Sequence, residues 1–105
     1  MSKEREHFEK IRNKFCSEEQ GVKVGKMMSS DAILLGDKVF AFLSKKDKMV
    51  FKLGKNYDIR EFDFEVSPFN PFKKKGPLAG WFEVPYQHFD RWESLTQLSL
   101  EIMKE

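Results

Sequence analysis

Between residues 22 and 53, four short apolar segments follow one another with only a few residues between them. That spacing constrains the fold more than any other feature of the chain. A parallel pairing needs a crossover of a dozen or more residues, whereas links of two to five residues join antiparallel neighbours. Val22 and Val24 alternate with Lys23 and Gly25, and Met28 extends the pattern, as on a strand with one covered face. Asp31–Leu35 and Lys38–Leu43 are the next two segments. Gly36-Asp37 between them is a tight hairpin signal, because glycine accepts the positive φ that a primed turn needs. Ser44–Lys48 is a polar turn. Beyond it Met49, Phe51 and Leu53 share one face, and Val50 and Lys52 the other. Gly80–Val84 reads as a further strand, stopped by Pro85. The expectation is an antiparallel meander of about five strands.

A helical pattern stands at each end. Phe8, Ile11 and Phe15 form one stripe of a helix over Lys3–Phe15, with Ser2 as its N-cap and Glu4 and Glu6 at the positive end of its dipole. Phe89, Trp92, Leu95, Leu98, Ser99 and Ile102 trace a second helix, from Tyr86 or Gln87 to Met103. Both are amphipathic, so the economical packing lays them on the sheet in an α+β single domain spanning 1–105. Residues 58–66 carry two signals. Asp58-x-x-Glu61 resembles a capping box, and Phe62-Asp63-Phe64-Glu65-Val66 alternates like a strand. A short helical turn followed by extended chain reconciles them. Ser67–Phe72 contains two prolines, which push the residues before them out of the α region.

Composition narrows the function classes. Eleven of the fifteen aromatic residues are Phe, so Phe rings must supply much of the core. The single cysteine, Cys16, excludes an intrachain disulfide and a multi-cysteine zinc site. The charged N-terminus lacks the apolar core of a signal peptide, and the longest apolar runs hold about five residues against the roughly 20 that cross a bilayer. These features point to a cytoplasmic protein without a membrane segment. The net charge of +2 conceals an uneven distribution. Residues 21–56 hold eight lysines against three aspartates, and residues 57–72 hold four carboxylates against Arg60.

No arrangement of residues announces chemistry. Gly21-x-x-x-Gly25-Lys26 fails as a phosphate loop on its spacing and on Met27, which stands where Ser or Thr should hold magnesium. His7 is nine residues from Cys16 on one helix, about 13 Å of rise, too far to act as its base. His88 would have to reach Cys16 through tertiary packing. Asp63 and Glu65 share a face, as the wet side of a strand also does. We expect no catalytic residue, no metal site and no cofactor. The Pro-flanked aromatics and the adjoining lysines are the candidate interaction surface: Phe69, Phe72, Lys73, Lys74, Lys75 and Trp81. Their mixture of rings and cations fits a protein partner or self-association, and alternatively a single-stranded nucleic acid.

The ordered segments resemble a known family. Gly25-Lys26-Met27-Met28, the hairpin Ile33-Leu34-Leu35-Gly36-Asp37-Lys38-Val39-Phe40-Ala41, Met49-Val50-Phe51-Lys52-Leu53, Pro71-Phe72 and Gly80-Trp81-Phe82-Glu83-Val84-Pro85 precede a closing helix. This order is similar to the N-terminal domain of the TfoX/Sxy family, and less closely to small YjbR-like domains. Met28-Ser29-Ser30 stands where the TfoX family has Phe-Gly-Gly. The resemblance implies a non-enzymatic regulatory or protein-interaction domain, linked in two-domain relatives to transcription and DNA-uptake competence. It carries over no catalytic residue. The alternatives are a nucleic-acid-binding module using the Lys-rich middle and the Lys73–Lys75 loop, and a small enzyme using Cys16 or the acidic strip.

Overall fold

The computed structural model describes residues 2–27, 30–70 and 78–105. Helix α1 (Lys3–Glu18) begins where the Ser2 side chain accepts a hydrogen bond from the Arg5 N–H. It leads into β1 (Val22–Met27), β2 (Ser30–Leu35), β3 (Lys38–Leu43) and β4 (Met49–Lys52). A 3-10 turn at Ile59–Glu61, capped by the Asp58 side chain, precedes irregular chain over residues 62–66 with bends at Asp63 and Phe64. The turn follows the capping-box signal, whereas the alternating residues 62–66 form no strand. Strands β5 (Ser67–Pro68) and β6 (Trp81–Val84) complete a six-stranded sheet in the order β1-β2-β3-β4-β6-β5, antiparallel throughout. The sixth strand is the two-residue β5, where the proline-rich segment runs along the edge of β6, and edge positions tolerate proline.

The second helix starts later than its stripe implies. Tyr86–Arg91 is a 3-10 segment broken at His88 (φ −111°, ψ 35°), and α2 runs from Trp92 to Lys104. Trp92 is completely buried, and its Nε1–H donates to the Val84 carbonyl at 3.2 Å. That bond pins the first residue of α2 to the end of β6. The intervening segment adjusts, and Phe89 is left 44% exposed.

Both helices lie on one face of the sheet, α1 against β1 and α2 against β3 and β4. Between helices and sheet sits the main core, which includes Phe8, Ile11, Phe40, Met49, Phe51 and Trp92. Strand β3 feeds this core with more than alternate residues. Register slips between Ile33↔Ala41 and Leu34↔Val39, so Phe40 is an extra residue in a β-bulge and joins Ala41 on the helix side. The bulge explains why two consecutive residues, Phe40 and Ala41, serve the helix side. Ser99 of α2 closes over this irregularity. Its Oγ lies 2.9 Å from the Phe40 carbonyl oxygen and 2.7 Å from that of Lys52, and shares its hydrogen between them.

Candidate functional site

The face of the sheet turned away from the helices carries a second apolar cluster. Ala32, Phe42, Val50 and Phe69 are buried there, with Met27, Leu34, Val39, Leu78 and Trp81 packed around them and partly exposed. Alternation places these residues. Ala32, Phe42, Val50 and Glu83 form one row across the sheet, and Lys52 and Trp81 are paired in the next. Phe69 reaches the cluster because backbone bonds hold it. Its N–H donates to the Trp81 carbonyl, and its carbonyl accepts from Leu78, both at 2.8 Å. Phe42 meets the Phe69 ring edge-to-face at 5.3 Å and the Trp81 ring at 5.6 Å, separations favoured between aromatic quadrupoles.

The candidate surface residues therefore divide. Phe69 is 7% exposed and serves as a core ring. Trp81 is half-buried, with the Lys52 ammonium over its ring, 5.8 Å from the centre. Phe72, Lys73, Lys74 and Lys75 lie outside the described residues. The lysines of the basic middle divide as well. Lys23, Lys48 and Lys52 belong to the outer face, where Lys48 pairs with Glu83 at 3.8 Å. Lys26 lies on the helix side and binds Asp31 at 3.0 Å. Asp31 also receives the Arg5 guanidinium, and Lys26 and Arg5 together hold its carboxyl below the usual range although burial opposes them.

The residues considered for catalysis do not converge. Cys16 is half-buried, and burial pushes its thiol up against the opposing influence of Arg12, so thiolate is scarce at neutral pH. His7 donates from Nε2 to the Phe89 carbonyl at 3.0 Å, and His88 accepts at Nε2 from the Glu65 N–H at 3.4 Å beside the Phe64 ring. The acidic strip is divided among separate partners: Asp58 with Arg60, Glu61 with the Tyr57 hydroxyl, and Asp63 with Arg91 at 3.9 Å. Among the described residues no three metal-ligating side chains gather, and no helix is long and apolar enough to cross a membrane. A shallow groove of about 430 Å³ runs between α1 and the 86–97 segment, past His7 and the exposed Phe89. The Lys14–Glu93 ion pair lies across it at 2.6 Å.

Sequence reasoning missed Phe42, Met27, Leu34 and Val39 as members of the outer cluster. A signal for them was present. Strands β3 and β4 are apolar at both alternate sets, as strands covered on both faces are. No protein-family model, no curated protein and no solved structure matches the chain.

Proposed function

We propose that the protein is a non-enzymatic interaction domain, of the kind its resemblance to the TfoX N-terminal domain implies. It acts in the cytoplasm through a protein partner and takes part in transcriptional or competence regulation. The observation that carries this reading is the outer face of the sheet. Met27, Leu34, Val39 and Trp81 form a half-exposed apolar rim around a packed centre. Methionine and aromatic side chains are enriched where proteins meet, and this partly buried rim supports the reading of a contact surface. The histidines are dispersed, and Asp58, Glu61 and Asp63 each meet a different neighbour, which adds support.

A photo-crosslinker placed at Val39 is expected to give a defined protein adduct that Leu34→Glu abolishes, while a crosslinker at Lys10, on the exposed side of α1, gives none. An absence of adduct at position 39, together with a measurable turnover, overturns the reading.

The nucleic-acid alternative has one observation in its favour, the company of Lys23 and Lys52 on the face that bears Trp81. Against it, Lys52 already covers the indole that a base would stack on, and Lys48 is engaged by Glu83. Oligonucleotide binding that falls steeply with salt would restore that alternative.

A further inference from the structure

The outer face leaves one other part of the sheet unaccounted for. Among the described residues, strand β1 is at the end of the sheet and pairs only with β2. The Gly36 N–H donates to the Gly21 carbonyl at 2.9 Å. Two-residue steps along the register then place Lys23, Gly25 and Met27 in the hydrogen-bonded pairs with β2. Val22, Val24 and Lys26 therefore turn their backbone groups to the open edge. The Val22 N–H is engaged by the Glu19 carbonyl at 3.4 Å, and Val24 and Lys26 keep both groups facing outward. Val24 is 60% exposed, the highest exposure among the large hydrophobic residues described.

The surroundings of this edge are cationic on both sides. Lys23 projects to the outer face. On the helix side, Arg5, Arg12 and Cys16 share one flank of α1, because eleven residues make about three turns. Arg5 stands beside the Lys26–Asp31 pair. Arg12, about 10.5 Å further along the same flank, holds its guanidinium 5.9 Å from the Phe8 ring centre. The Arg12 Nε is shielded from solvent and has no hydrogen-bond partner. The carboxylates on this flank are already committed, Glu9 to Arg5 at 3.2 Å and Asp31 to Arg5 and Lys26. Pairing a second copy of β1 here would bring lysines to lysines.

We propose that the open edge of β1 is a strand-addition site for an extended acidic segment of a partner protein, apolar at the residue opposite Val24. Main-chain bonds to Val24 and Lys26 would supply the docking, and the flanking carboxylates would meet Lys23 and Arg12. This site rests on the interaction-domain reading but engages the backbone of the open edge rather than the apolar rim, so failure of the peptide titration and failure of the Val39 crosslink are distinguishable.

The test is a titration of the isotopically labelled full chain with the peptide Thr-Glu-Glu-Val-Glu-Glu-Thr, blocked at both ends and followed by amide resonances. Saturable shifts are expected along β1, and the exchange protection of the Val24 and Lys26 amides should rise at least about tenfold. The same peptide with lysine for glutamate should not bind. Val24→Pro removes an open-edge donor that takes no part in the ladder with β2, and should weaken binding at least about tenfold with the fold retained. Lys23→Glu, which leaves every backbone bond in place, should also weaken it. The proposal is overturned by no β1 shifts up to about 2 mM peptide, by equal binding of the lysine peptide, or by full binding to both variants. Protection of the Val24 amide that depends on protein concentration without peptide would assign the edge to a second copy and overturn it as well.

Discussion

Ser99 is a small residue with a large structural share. It lies on the apolar stripe of α2, where a hydroxyl would be costly without acceptors, and two strand carbonyls provide them. Ser99→Ala should lower stability by about 1–3 kcal/mol, because the Phe40 and Lys52 carbonyls lose their donor in a closed site. Denaturant unfolding followed by circular dichroism measures it. Tyr57 stacks on Phe62 and donates its hydroxyl to Glu61. Burial and this carboxylate push its phenol up to about 12. A spectrophotometric titration should show a tyrosine ionising near that pH, and Tyr57→Phe should remove the step. The raised Cys16 thiol predicts slow alkylation in the native state and a rate that rises on unfolding. At this scale the sequence was partly legible. It placed Ser99 on the helix stripe, but the bulge that needs its hydroxyl arises only when β3 meets β2.

Between elements, the connections are set by a few polar or backbone contacts. Asp31 ties α1 to the β1–β2 hairpin through Arg5 and Lys26. Its carboxyl is held low in the folded state, so the unfolded chain takes up the proton first as pH falls. The stabilisation is present above the ordinary carboxylate range and is lost as pH drops through the depressed value. Asp31→Asn should cost about 1–3 kcal/mol at neutral pH and flatten that acid limb, as a stability–pH series shows. Gly80 joins β4 to β6, its carbonyl accepting from Leu53 at 2.9 Å and from Gly54 at 3.2 Å. Its φ is +87°, and an added Cβ would stand 3.1 Å from the Lys55 nitrogen and 3.2 Å from the Gly54 carbonyl carbon. Gly80→Ala should destabilise by about 1–3 kcal/mol, because strain and backbone crowding act together.

Across the whole molecule, β3 and β4 are covered on both faces, by the helix-side core and by the outer cluster. Their amides should exchange slowest, and those of Val24 and Lys26 on the open edge should exchange fast in the free protein, which a hydrogen-exchange series resolves. The two clusters together account for seven of the eleven phenylalanines. Phe8, Phe15, Phe40, Phe51 and Phe82 fill the helix side, and Phe42 and Phe69 the other. These rings are thus divided between two clusters rather than gathered in one, and Trp81 packs against the outer one.

The sequence by itself determined the meander, the two amphipathic helices and the short helical turn that opens residues 58–66. Each follows from neighbours a few residues apart: short links forbid crossovers, and side-chain periods of two and of nearly four choose strand or helix. Tertiary structure alone decided that Phe69 is a core ring, that Phe40 bulges toward α2, that Phe89 stays in solvent and that Val24 faces an open edge. Those outcomes depend on which distant segment covers a residue. Burial is set by contacts across the whole fold, and a local pattern of apolar residues is the same whether its second face is packed or bare.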